Sequence, residues 1–297
     1  MGISRSSLRS EAVFLLQASR PGLWLTAIAF YMLPLGQRAV FHSLAFWLGA
    51  VYVSFPMGLL LYGWNDIVDY EADRLNPRKG TFLFGARGTR EQLRRLPLRI
   101  ALVQLPFVVA ITMLGGTKML LCFTGMMAAA ALYNWPRYGF KARPPLEILN
   151  QAGYLFVFLL SSWINDAPLL PWATLLFGAL FAMHSHVFGE VMDLEPDRAA
   201  GRRTTATVIG RVPAKLLMTV LMVAEAGLVV RFFGAKPVAG FLLVSAAWFV
   251  VDATVLWRSR PYSNRQMRFF LLAWNAIAVI SMPWLWSRAV LLQRAGP

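Results

Sequence analysis

Apolar runs dominate this chain, and its polar residues collect in short stretches between them. Nine runs approach the ~20 residues that a helix needs to cross a bilayer. They cover 21–36, 43–64, 97–115, 118–135, 146–164, 169–188, 213–233, 238–257 and 267–287. Glycine and proline punctuate the joints, at Pro34-Leu35-Gly36, Gly115-Gly116, Pro168 to Pro171, Pro237 and Pro261. Ahead of the first run, residues 6–19 set Leu8, Val13, Leu15 and Leu16 against Arg5, Arg9 and Glu11, as a short amphipathic helix does. The pattern predicts an all-α integral membrane protein, with about nine transmembrane helices in one bundle. Residues 1–297 form one membrane-embedded domain, with 1–20 as its amphipathic N-terminal segment.

Composition agrees with that reading. The chain is 58% hydrophobic and only 14% charged, whereas a soluble chain carries about a quarter charged residues. The first apolar run leads into more membrane sequence, so no cleavable signal peptide is expected. Met1-Gly2-Ile3-Ser4-Arg5-Ser6 fits a short myristoylation pattern, which a self-anchoring chain does not need. The single cysteine, Cys122, lies in an apolar run and excludes both an intramolecular disulfide and a cysteine metal site.

The net charge of +15 would suit a nucleic-acid binder if the charge were free to gather on one surface. Nine spans explain it differently. Of 29 Lys and Arg residues, only Arg38, Lys118, Arg231, Lys236, Arg288 and Arg294 fall opposite the N-terminus. The positive-inside rule therefore puts the N-terminal side in the cytoplasm, as in a multi-pass protein of the inner, cytoplasmic membrane. No nucleic acid is needed to account for the charge.

The acids are distributed far less evenly than the bases. Asn65-Asp66-Ile67-Val68-Asp69-Tyr70-Glu71-Ala72-Asp73 ends the second run, and Asp66, Asp69 and Asp73 are spaced i, i+3, i+7. Glu190, Asp193 and Asp197 repeat the spacing after the sixth run, and an arginine follows each set (Arg74, Arg198). On a helix such residues share a face, about 5–6 Å apart, and repel unless a cation lies between them. The two stretches hold eight of the chain's 14 acids, both on the cytoplasmic side. Facing each other across a bundle, they would suit Mg²⁺, which takes oxygen ligands and fills its shell with water and substrate phosphate. Arg74, Arg78 and Lys79 follow the first motif, Arg198, Arg202 and Arg203 the second, and Tyr133 to Lys141 adds a third basic segment. Carboxylates, bases and a bundle rich in Phe, Trp, Met and Leu suit an anionic head on a long hydrocarbon tail.

These features resemble the UbiA superfamily of intramembrane prenyltransferases. Asn65-Asp66-x-x-Asp69-x-x-x-Asp73, Asp193-x-x-x-Asp197, the Tyr133 to Lys141 segment and Arg20-Pro21 carry the resemblance, which covers nearly the whole chain. It implies Mg²⁺-dependent transfer of a prenyl group from an allylic prenyl diphosphate to a lipophilic acceptor, through an allylic carbocation. Asn65, Asp69, Asp193 and Asp197 would hold two Mg²⁺ ions, with Asp66, Asp73 and Glu190 completing or supporting the shells. Asp66, Asp69, Lys141 and Tyr133 would be catalytic, with Tyr133 near the reacting carbon. Arg74, Arg78, Lys79, Lys141, Arg198 and Arg202 would meet the diphosphate. Glu190 departs from the pattern, where Asp is more usual. Asn76-Pro77-Arg78-Lys79-Gly80 is similar to the lycopene elongase branch, which points to a carotenoid acceptor; an aromatic quinone precursor such as 4-hydroxybenzoate is the alternative.

Plainer readings compete at several positions. Glu71 and Glu195 fall off the acidic stripes and read as solvated. Arg87, Arg90, Arg94, Arg95 and Arg99 read as topology and headgroup charges. His184 and His186 are two apart and cannot share a helix face; His186 would line the acceptor pocket or relay a proton, or else be an ordinary buried histidine. Glu225 and Asp252 lie within spans and read as structural, each neutral, paired or lining the cavity. Asn150 and Gln151 are candidates to orient substrate. A cation transporter is the non-enzyme alternative, but its acids belong near the membrane midplane rather than at helix ends ringed by arginine. A phospholipid alcohol transferase would need an Asp-Gly-x-x-Ala-Arg opening, which is absent.

Overall fold

The computed structural model describes residues 5–292. The Met1–Ser4 part of the myristoylation pattern, and Arg294 of the charge count, lie outside those residues. Among the described residues no strand forms; one isolated bridge joins Thr81 and Gly85. The first helix, α1 (Arg5–Ala18), lies where the amphipathic pattern predicts it. Its Phe14 and Ala18 pack against Leu59, Leu60, Leu93, Leu96 and Ile100, and Glu11 pairs with Arg99. The segment is thus fastened to the bundle.

The nine expected spans correspond to nine helical segments among the described residues. The first, α2 (Trp24–Met32), is short but is extended by 3-10 turns at Pro21–Leu23 and Leu33–Leu35. Next come α3 (Leu44–Val68), the short α4 (Tyr70–Leu75), α5 (Arg90–Gly115) and α6 (Lys118–Asn134). The fifth span is broken into α7 (Leu146–Leu149), a 3-10 stretch at Asn150–Leu155 and α8 (Phe156–Ile164). Then follow α9 (Trp172–Ala199), the short α10 (Thr205–Ile209), α11 (Arg211–Phe233), α12 (Lys236–Leu256) and α13 (Asn264–Ser287). Seven helical stretches are individually long and apolar enough to cross a membrane.

Two helices outrun their apolar stretches. The basic sequence from Arg90 to Leu96, outside the expected third span, forms the first turns of α5, started by a Thr89–Gln92 capping box. Helix α9 continues to Ala199, so the second acidic set rides on the same rigid rod as the membrane span.

Two clusters fill much of the interior. Tyr31, Tyr52, Val53, Ile111, Met119, Cys122, Val157 and Leu160 fill one cluster. Val187, Val191, Leu194, Ala214, Met218 and Met267 fill another. The outer surface is apolar too. Leu98, Leu102, Leu105, Val109 and Met113 stand exposed on one face of α5, as do Phe269, Leu272 and Ile280 on α13. Such a surface is costly in water and suits hydrocarbon.

Candidate active site

The first acidic motif sits at a disturbed helix end. A π-helical turn over Leu59–Gly63 precedes Trp64–Val68, and Asp69 leaves helical geometry at φ −91°, ψ 6°. The hydrogen bonds nevertheless run on, from Asp69 N to Asn65 O (2.9 Å) and from Asp73 N to Asp69 O (2.8 Å). Asn65, Asp69 and Asp73 therefore stay on one side. They line a cavity of about 700 Å³ together with Glu190, Asp193 and Asp197 of α9. The two motifs face one space, as their matched spacing predicts.

Lysine and arginine side chains hold the aspartates. Lys141 and Arg202 both pair with Asp69, Lys141 also meets Asn65 Oδ1, and Asn65 donates to Asp69 Oδ2 at 2.8 Å. Burial pushes the Asp69 carboxyl upward, but Lys141 and Arg202 outweigh it and hold the group down at about 2. Burial raises Asp73 to about 7, because Lys79 opposes it while Asp66 and Asp69 add to it. Lys141 is lowered to about 8, burial prevailing over Asp69.

The loop after α4 ties the two motifs together. Lys79 Nζ lies 2.6 Å from Asp66 Oδ1 and 2.8 Å from Asp73 Oδ2. On the other side Arg78 pairs with Asp193, and Asn76 donates to the same carboxylate at 2.6 Å. Exposed Arg87, expected only as a topology charge, donates to the carbonyl of Asn76 at 2.5 Å and so steadies the loop. The loop then covers the turn into α2, where Gly22 N donates to Phe82 O at 3.1 Å. A β-carbon on Gly22 would come within 2.5 Å of Leu83 O, so only glycine permits this approach.

Three expected site residues stand elsewhere. Asp66 is 2% exposed and sits behind the cavity wall, bonded to Lys79 and to Arg20 at 3.4 Å. Arg74 is exposed, pairs with Glu71 and does not line the cavity. Arg198 points to the outside of α9. Tyr133, Lys141, Arg78, Lys79 and Arg202 do line it. Tyr133 faces His186 at 5.9 Å between ring centres and lies 5.5 Å below Lys141 Nζ.

Tyr62, Tyr154, Glu147 and Thr205, which the sequence did not single out, also shape the site. Arg20 adopts left-handed φ of 52° and stacks 4.6 Å over Tyr62, whose hydroxyl meets Tyr154 at 2.7 Å. Buried Glu147 accepts from Thr205 N at 2.7 Å and from its hydroxyl at 2.6 Å, while Glu190 Oε2 accepts from Ala206 N at 2.9 Å. Two carboxylates therefore cap α10 and fix the segment that carries Arg202. Away from this polar pole, Trp24, Phe30, Phe181, Phe241, Trp248 and Trp274 wall the cavity. Asn150 and Gln151 line it as well, each donating to a backbone carbonyl.

Carboxylates and an amide gathered at one pole make an all-oxygen donor set, which suits a hard divalent cation. Among the described residues no three acids or histidines converge on one metal position. Lysine and arginine instead supply the positive charge beside these oxygens, and Glu190 Oε1 has no hydrogen-bond partner. The donor chemistry fits Mg²⁺.

A helical membrane bundle enclosing an acidic and basic pole above an apolar chamber is an intramembrane enzyme for amphiphiles with anionic heads. Residues 22–287 match the UbiA prenyltransferase family, and the chain belongs to that family. A lycopene elongase/hydratase of Corynebacterium glutamicum is 31% identical over 268 residues, spanning 86% of this chain and 91% of that protein. One of Haloarcula japonica is 30% identical over 203 residues, spanning 66% and 67%. The solved structure of a UbiA homolog from Archaeoglobus fulgidus bound to DMAPP and Mg²⁺ superposes with a TM-score of 0.68 at 18% identity, covering 91% of this chain and 97% of that one. The transporter alternative falls with the family match.

Proposed function

We propose that this protein transfers a prenyl group from an allylic prenyl diphosphate to the end group of a carotenoid such as lycopene, with Mg²⁺. The observation that carries the proposal is the Asn76–Lys79 loop, which joins both acidic motifs at the cavity's polar pole. The same string suggests the lycopene elongase branch, and relatives bearing that description cover most of the chain.

Asn65, Asp69, Asp73, Glu190, Asp193 and Asp197 would hold Mg²⁺, which supplies neutralisation of the charge on the departing pyrophosphate. Lys141, Arg202 and Arg78 stand at the same pole and bind diphosphate oxygens through charge-assisted hydrogen bonds. Asp66 orients Lys79 from behind the wall. Loss of pyrophosphate leaves an allylic cation, which the Tyr133 ring stabilises through its negative face. The aromatic chamber keeps water from that cation until the acceptor's double bond attacks it. Val244, Trp248 and Ile277 line the cavity and are also exposed on the bundle's outer surface. A long acceptor can thus present its end group while its body remains in lipid. The basic excess on this side supports a site that faces the cytoplasm.

The test supplies labelled dimethylallyl, geranyl and farnesyl diphosphates to membranes containing the protein. Mg²⁺ is present, with lycopene and 4-hydroxybenzoate competing as acceptors. Label is expected in the carotenoid. Label in the aromatic acid would move the function to quinone precursors, and no label in either would end the proposal.

A further inference from the structure

Helix α9 carries a buried titratable pair that the diphosphate pole does not use. His184 Nδ1 lies 2.6 Å from Oε1 of Glu225 on α11, and both side chains are buried. An acid at membrane depth is costly to insert and by default marks a functional site. His184 lines the cavity, and its Nε2 is shielded from water with no hydrogen-bond partner. Phe181 and Trp274 flank the imidazole, with ring centres at 5.1 and 6.3 Å. His184 precedes Glu190 by six residues and Asp193 by nine. At 1.5 Å per residue it lies about 9–14 Å deeper than the carboxylates, on the chamber side of the reacting centre. His186 is the other histidine on this wall, but its Nε2 faces Glu190 at 3.2 Å, within the polar pole.

An imidazole held at Nδ1 by a carboxylate presents Nε2 as its basic atom. Aromatic faces beside it stabilise a cation in the same place. Resting on the prenyl transfer above, we infer that His184 accepts the proton that ends the reaction, with Glu225 as its positioning residue. The carbon–oxygen bond to diphosphate breaks, and a carbon–carbon bond forms between the prenyl carbon and the acceptor's double bond. The acceptor is left as a tertiary cation between Phe181 and Trp274. A neighbouring C–H bond gives its electron pair to a new double bond, and its proton passes to His184 Nε2. The imidazolium pairs with Glu225 and gives up the proton only when the product leaves and water enters the chamber. No oxidant or reductant enters.

The experiment follows two products from dimethylallyl diphosphate, lycopene and Mg²⁺ in membranes: the unsaturated prenylated carotenoid and pyrophosphate. His184→Ala is expected to lower the unsaturated product by about 10²-fold or more, the lower range for a lost general base. Pyrophosphate release should fall much less, with the difference recovered as carotenoid alcohol formed by water capture. Glu225→Gln, which keeps the packing, should shift the same partition by a smaller factor. Product and pyrophosphate falling in step would make the pair structural and overturn the inference, as would an unchanged partition in both variants. A wild-type protein that forms only the alcohol overturns it too. A wild-type protein that transfers nothing to lycopene overturns the carotenoid reading and this inference together.

Discussion

Asn76 donates a 2.6 Å hydrogen bond to Asp193, joining the loop behind the first acidic helix to the second motif 117 residues away. The Asn76 carbonyl oxygen of the side chain also accepts from Arg78 N at 3.1 Å, which sets Arg78 against the same carboxylate. One small amide therefore registers two halves of the site.

Removing that amide should loosen the register without emptying the cavity. Hydrogen bonds to charged groups are worth about 1.5–3 kcal/mol, so Asn76→Ala is expected to lower kcat/KM by about 10- to 150-fold. Asn76→Asp should be worse than alanine, because it sets a second negative charge beside Asp193. Steady-state kinetics on both variants checks the order, and an aspartate variant as active as wild type would refute this role.

Lys79 and Arg74 both follow the first motif in sequence, yet only one belongs to the site. Lys79 is buried between Asp66 and Asp73, whereas Arg74 pairs with exposed Glu71. Lys79→Met strands two carboxylates, and breaking a buried pair costs about 3–5 kcal/mol. The detergent-solubilised variant should melt on the order of 10 °C lower. Arg74→Ala should melt within about 4 °C of wild type, as surface ion pairs contribute at most ~1 kcal/mol, and should turn over within about twofold of it, since Arg74 does not line the cavity.

That contrast shows what the sequence made legible. Nine apolar runs and the charge asymmetry specify the bundle, because both arise from matching a chain to a bilayer. The paired i, i+3, i+7 acids locate the site, since helical spacing alone brings them to a face. Spacing did not show that Asp66 turns behind the wall. The break lies inside the motif, at Asp69, whose φ of −91° and ψ of 6° leave helical geometry between Asp66 and Asp73. Nor did spacing show the Glu225 carboxylate beside His184 or Glu147 capping α10, whose partners are 41 and 58 residues away. Local patterns carry no record of such partners.

A second buried pair should prove structural. Lys215 and Asp252 are both fully buried, 2.9 Å apart, and Tyr262 donates to the same aspartate. None of the three lines the cavity. Lys215→Met alone is expected to cost about 3–5 kcal/mol, and adding Asp252→Leu should restore much of it. Turnover per folded molecule should stay near wild type throughout. A large fall in that specific activity, with melting temperature preserved, would instead give the pair a part in the reaction.

Asp69 and Asp193 offer the sharpest test of the metal assignment. They belong to opposite motifs, and each is held by arginine or lysine beside the same cavity. If these oxygens hold Mg²⁺, Asp69→Ala and Asp193→Ala should each lower turnover by at least about 10²-fold, the scale for losing a preorganised charge-stabilising group. A chelator should silence wild type, and Mg²⁺ should restore it. Each variant also leaves basic partners without a carboxylate, so detergent-extracted protein must first be shown monodisperse by size-exclusion chromatography. Raising Mg²⁺ should recover part of the activity of a conservative Asp69→Asn variant, since the amide keeps one oxygen ligand, but none of that of Asp69→Ala. Folded alanine variants that both retain Mg²⁺-dependent turnover would place the metal elsewhere.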